Sequence, residues 1–175
     1  NFTRGKASPT TLRFVARLHD IDLSKSLFDA DVFLQGQHID LQQWITSPCV
    51  KMYLASTAQH KIKINQGMLN LKMWLTWKHS HLKSIQTLVN AEKLAIYLPT
   101  AHKNLMVNQL KANLAWHQYL DGWDIQADKI QLKVNNHAWP DDHFAYRVVY
   151  DQTHKLRQQL FYLDYLQLQE LRDMA

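Results

Sequence analysis

A two-residue rhythm of apolar and polar side chains runs through most of this chain. It restricts the backbone to extended strands that are greasy on one side and polar on the other. Leu12, Phe14, Ala16 and Leu18 share one side of the first such stretch, with Arg13 and Arg17 among those on the other. Leu69, Leu71, Met73, Leu75 and Trp77 form a second stripe, opposed by Asn70, Lys72, Trp74, Thr76 and Lys78. A third carries Met106, Leu110, Ala112, Leu114 and Trp116 against Gln109, Lys111, Asn113 and His117. Ile130, Leu132 and Val134 come next, and then Phe144, Tyr146, Val148 and Tyr150. Helical spacing, at about 3.6 residues per turn, would not sort these side chains so cleanly.

The separators are short and polar, as hairpins require. Lys78-His79-Ser80-His81 and Leu120-Asp121-Gly122 each split a pair of strands. Asn135-Asn136-His137 and Pro140-Asp141-Asp142 sit around Ala138 and Trp139, and Asp151-Gln152-Thr153 follows Tyr150. Residues 81–90 also match a helical face through Leu82, Ile85, Leu88 and Val89. They leave a hairpin and run into Leu94, Ile96 and Leu98, so strand is the assignment. Strand following strand in this way predicts a mainly β chain, an antiparallel meander formed by one segment over residues 1–175. One or two short helical turns are expected, because Asp40 with Gln43 and Asp164 with Gln167 have capping-box spacing. Ile39-Asp40-Leu41-Gln42-Gln43-Trp44 and Leu166-Gln167-Leu168-Gln169-Glu170-Leu171 look alike and suggest an internal repeat.

Composition narrows the chemistry. Apolar residues make up 46% of the 175 positions and charged ones 20%, enough to bury a core and too apolar for disorder. Gly and Pro occur four times each, well below their usual shares of about 7% and 5%. Such scarcity argues against Gly-rich phosphate loops, and no Gly-x-Gly is present. Gly-x-Ser-x-Gly, His-Glu-x-x-His and Cys-x-x-Cys are missing too. The single Cys49 has no internal disulfide partner. No run approaches the roughly 18 apolar residues of a membrane helix. The chain begins at Asn1 without a signal-like stretch, which suits a segment of a longer protein.

The net charge of +5 comes from dispersed Lys and Arg, so nucleic acid is not indicated as a partner. Aromatic residues alternate with basic ones, as in Lys72-Met73-Trp74, but most share a face with Leu, Met and Val rather than forming a stacking platform. Ten histidines invite a metal, with His79-x-His81 as the best-spaced pair. That pair lies in a turn without a nearby third donor, so no metal and no cofactor is expected. Asp20 with Asp22, Asp29 with Asp31, and Asp141 with Asp142 fall at segment breaks, where Asp serves turns. An acid–base site of Asp141 or Asp142 with His143 is the remaining enzymatic reading, and no enzyme activity is expected.

Three phrases carry a family likeness. They are Gly36-Gln37-His38-Ile39-Asp40-Leu41-Gln42-Gln43-Trp44, Gly67-Met68-Leu69-Asn70-Leu71-Lys72-Met73-Trp74-Leu75, and Gly122-Trp123-Asp124-Ile125 through Asn136-His137-Ala138-Trp139-Pro140 with Phe144-Ala145-Tyr146. In this order they resemble the periplasmic repeats of the YhdP and AsmA-like envelope proteins of Gram-negative bacteria. The resemblance implies a curved, elongated, taco-like sheet whose apolar groove carries phospholipid or another acyl-chain lipid. It implies a periplasmic region of a protein anchored in the inner membrane, and a part in lipid transport towards the outer membrane. Lining candidates are the stripe residues Leu69, Leu71, Met73, Leu75, Trp77, Met106, Leu110, Leu114, Trp116, Ile130, Leu132, Val134, Phe144, Tyr146 and Val148. Alternation alone leaves a second architecture open. The stripes can instead close on each other into a filled core, giving a structural or protein-interaction module without a ligand.

Overall fold

The structure, a computed structural model, describes residues 10–22, 25, 27–46, 63–99, 102–135 and 137–164. The strands are β1 (Thr11–Asp22), β2 (Leu27–Asp40), β3 (Lys63–Lys78), β4 (His81–Leu98), β5 (Lys103–Gln118), β6 (Gly122–Val134), β7 (His137–Ala138), β8 (Asp142–Tyr150) and β9 (Leu156–Leu163). The helix α1 (Leu41–Thr46) lies between β2 and β3. All strands join one antiparallel sheet in the order β1-β2-β3-β4-β5-β6-β8-β9, and the short β7 pairs with β6. This is the predicted meander, with residues 81–90 inside β4. The sheet is open and does not close into a barrel. Described elements touch only their sheet neighbours or α1, so no second layer covers either face among the described residues.

The turns form where polar residues interrupt the rhythm. His79 and Ser80 both take left-handed backbone angles, φ 51° and 61°, between the paired Lys78 and His81. Two such residues make the type I′ geometry whose twist matches the flanking strands. Asp151 shapes the β8–β9 turn by accepting from Thr153 Oγ1 and N (both 2.7 Å) and from Lys155 N (3.0 Å). These bonds, the Thr153 hydroxyl foremost, hold its carboxyl below the usual carboxylate range. Asp40 caps α1 as its spacing predicts, its Oδ1 accepting from the backbone N–H of Gln42 (2.9 Å) and Gln43 (3.2 Å). The similar stretch Leu166–Leu171 lies outside the described residues.

A line of backbone irregularities crosses the sheet. It runs through His38 (φ 53°) on β2, Gly67 on β3, Lys93 (φ 55°) on β4, the Val107–Gln109 register shift on β5 and Lys129 (φ 52°) on β6. Across this crease the apolar positions change from odd to even numbering or back. Val89 and Ala91 give way to Leu94 and Ile96, and Leu110 is preceded by Val107 and Leu105. One out-of-step residue per strand resets the alternation, so the greasy side stays on one face. Leu41 of α1 packs there with Ala91, Leu94, Val107 and Val134, joined by Ile64, Leu69, Ile96, Leu105, Leu110 and Leu132. Gly67 makes this approach possible, since a Cβ would stand 2.3 Å from Leu94 Cδ2 and 3.2 Å from Leu41 Cδ1.

Of the described glycines, Gly122 has the least room for a side chain. A Cβ there would sit 1.9 Å from the carbonyl oxygen of Val148 on the adjacent strand. Gly122→Ala is expected to force β6 and β8 apart and to cost about 3 kcal/mol, at the upper end of ordinary overpacking. Gly36→Ala would meet chiefly the movable end of the Ile39 side chain, and the loss should be smaller. Urea unfolding of both variants checks the order.

Candidate functional site

Cross-strand register turns the separate stripes into continuous rows. Ala16, Val32, Leu75, Ile85, Trp116, Ile125, Tyr146 and Phe161 stand opposite one another in turn from β1 to β9. The next row holds Phe14, Leu34, Met73, Thr87, Leu114, Ala127, Phe144 and Leu163. A third runs through Leu12, Gly36, Leu71, Val89 and Ala112. Directly opposed residues share a face, so these rows make one apolar surface. Aromatic edges tie its β8–β9 side together: Trp123 meets Tyr146 at 5.6 Å between ring centres, and Phe144 meets Phe161 at 5.4 Å. Phe14 and Phe161 remain 66% exposed and Leu114 40%, as expected where no described element lies above them. A contiguous apolar surface of this kind is a candidate binding surface.

The stripe residues do not all share the same surroundings. Leu71, Met73, Leu75, Trp77, Leu114, Trp116, Phe144 and Tyr146 lie on the open part of the apolar face. Leu69, Leu110 and Leu132 pack with the cluster under α1, and Val134 is buried within it. Ile130 follows the crease on the same face as Leu132, opposite Asp142. Val148 is buried between its neighbours. Met106 does not continue the stripe of Leu110 and Leu114. The crease turns Leu105 and Val107 towards the cluster and puts Met106 on the opposite face beside its partner Ala95.

The polar face holds a carboxylate network that sequence spacing did not single out. Asp124 on β6 is buried. Its oxygens meet His117 Nδ1 (3.0 Å), the Tyr119 hydroxyl (2.8 Å) and Gln126 Nε2 (3.4 Å). Arg147 stacks over the Tyr119 ring at 4.8 Å and lies 3.7 Å from Asp121. The bond to Asp124 is the main cause that raises the Tyr119 phenol above its ordinary value, with burial adding to it. The hairpin at Leu120-Asp121-Gly122 was the available signal, because its register places His117 opposite Asp124. His143 pairs through Nδ1 with Asp128, not with Asp141 or Asp142. Those two acids serve turns, Asp142 accepting from the His143 backbone (2.8 Å) and Asp141 from Gln131 Nε2 (3.2 Å). His79 and His81 belong to no cluster of three possible metal donors among the described residues.

The arrangement defines a one-sided β-scaffold, mostly polar on one surface and, among the described residues, apolar and uncovered on the other. The chain belongs to the YhdP family, whose model, described as YhdP protein, matches residues 3–175. This is a family of envelope proteins. Comparison with curated proteins and with solved structures gives no significant match. No helix among the described residues is long and apolar enough to cross a membrane.

Asp124→Asn removes the charge that favours the protonated Tyr119. One tyrosine should then return towards the ordinary range near 10 in an ultraviolet titration. A raised folded value means that the bond stabilises fully below the unfolded pKa. That contribution is lost as pH rises through the folded one, so the gap in stability between wild type and variant should narrow at high pH.

Proposed function

We propose that this chain is a non-enzymatic lipid-binding segment that guides phospholipid acyl chains along its apolar face. The observation that carries the reading is the run of apolar rows from β1 to β9, which no other described element covers. At about 4.8 Å between strands, eight strands span about 34 Å. One leaflet of a hydrocarbon core about 30 Å thick is about half that length, so a row can cover a whole acyl chain. Each buried methylene contributes about 0.8 kcal/mol. Moving from one strand to the next exchanges one apolar contact for a similar one, which keeps the barrier to sliding low. The polar face suits water, and the family suits a periplasmic region of an inner-membrane-anchored protein that moves phospholipid towards the outer membrane. Neither a cofactor nor a nucleic acid enters this mechanism. The filled-core alternative draws no support from a sheet one layer thick.

Photo-crosslinking residues placed by turns on the two faces test the reading. Leu71 and Leu114 are expected to capture phospholipid from inner-membrane vesicles, and their neighbours Lys72 and Asn113 are not. Equal capture from both faces, or none from either, would sink the proposal. Leu114→Asp sets a carboxylate in the path of the chains and should lower lipid occupancy about tenfold. An unchanged circular dichroism spectrum separates that loss from unfolding.

A further inference from the structure

The geometry points to a divalent metal site of the zinc type at the β1–β2 end of the sheet, formed by His19, Asp20 and Asp29. His19 and Asp29 are direct cross-strand partners on the polar face. Asp20 follows His19 and would ordinarily point to the other side of the sheet. It takes a left-handed backbone angle, φ 49°, where the register shifts between His19 and Asp22. Such a bulge re-aims a side chain, and one donor atom from each of the three residues now lies within 4.8 Å of the others.

Two further observations favour a cation over a chance meeting of charges. The Nδ1 atom of His19 is shut off from solvent and has no hydrogen-bond partner among the described residues. A buried ring nitrogen left in that state costs desolvation energy that a proton donor or a metal ion would recover. Asp29 is held in place from outside the group, its Oδ1 accepting the His79 backbone N–H at 2.7 Å. The adjacent Phe28 is bonded to the same turn, its carbonyl accepting from Ser80 N (2.8 Å) and its N–H donating to Ser80 Oγ (3.2 Å). Outer hydrogen bonds of this kind fix the orientation of metal ligands.

One imidazole and two carboxylates suit a borderline ion such as Zn²⁺. A tetrahedral zinc holds its donors about 3.4 Å apart. Drawing the group together needs a closure of at most about 1.4 Å, within reach of a rotation of the exposed Asp20. The bound ion would fasten the edge strand β1 to β2, and through Asp29 to the β3–β4 turn. Its role is structural and independent of lipid.

Zn²⁺ titration of the wild-type chain, followed by calorimetry, is expected to show one tight equivalent. Hydrogen exchange should slow in the β1 amides when zinc is added. Asp20→Asn keeps a residue that tolerates the left-handed angle and should weaken binding at least tenfold. His19→Gln should do the same. His102→Gln, an exposed histidine elsewhere, should leave the affinity unchanged. The proposal is overturned by absence of a tight equivalent, by unchanged affinity in Asp20→Asn and His19→Gln, or by an equal loss in His102→Gln.

Discussion

Successive side chains of a strand point to opposite faces, so a sheet that remains one layer thick can shelter its apolar half only sideways. The rest of this molecule follows from that limit. Leu75, Ile85 and Trp116 shield one another along a row, yet nothing in the described fold lies on top of them. Where α1 does reach over the sheet, Leu41 closes a small cluster with Leu94, Val107 and Val134. Ten apolar residues are buried and no large side chain is wholly enclosed among the described residues. A conventional domain of similar size would direct such rows inward against a second layer. Here they remain accessible surface.

The crease shows what it takes to keep that surface on one side. A strand as long as β4, with eighteen residues, accumulates twist and must stay in register with two neighbours. Left-handed residues at His38, Lys93 and Lys129 and the close packing at Gly67 absorb the mismatch at staggered levels of the sheet, Lys129 where β6 shifts register against Lys111 and Asn113. None of the three left-handed residues is glycine, so each carries a conformational cost that its neighbours must outweigh. Their side chains are polar, and no apolar residue is sacrificed at these positions. The opposite face is not uniformly polar either, since Phe33 and Trp74 meet there at 5.3 Å.

Much of this architecture was legible in the residues. Alternation located the strands and their inner sides, the polar breaks located the hairpins, and Asp40 marked the start of α1. Met106 shows the limit. An unbroken period of two puts it beside Leu110, and only the register of β5 against β6 reveals that one residue falls out of step between them. The aspartates show another. Asp29 read as a turn or strand-end acid and Asp124 drew no reading of its own, because what distinguishes them is the residue opposite rather than the residue beside. His117 could be found by counting through a short hairpin. The meeting of His19 with both Asp20 and Asp29 depends on a bulge, and no spacing rule anticipates it.

A sheet whose described strands meet only their neighbours and α1 resembles a row of linked units more than a globule with a common interior. In such arrays stability is roughly a sum of local and nearest-neighbour contributions. β1 and β9 each have a single partner strand, whereas β4 is flanked by two long ones. Loss of structure should therefore begin at the two margins and move inward by stages, with the middle strands last to open. Gradual melting, which in a compact domain would signal damage, is here the expected behaviour of an intact sheet.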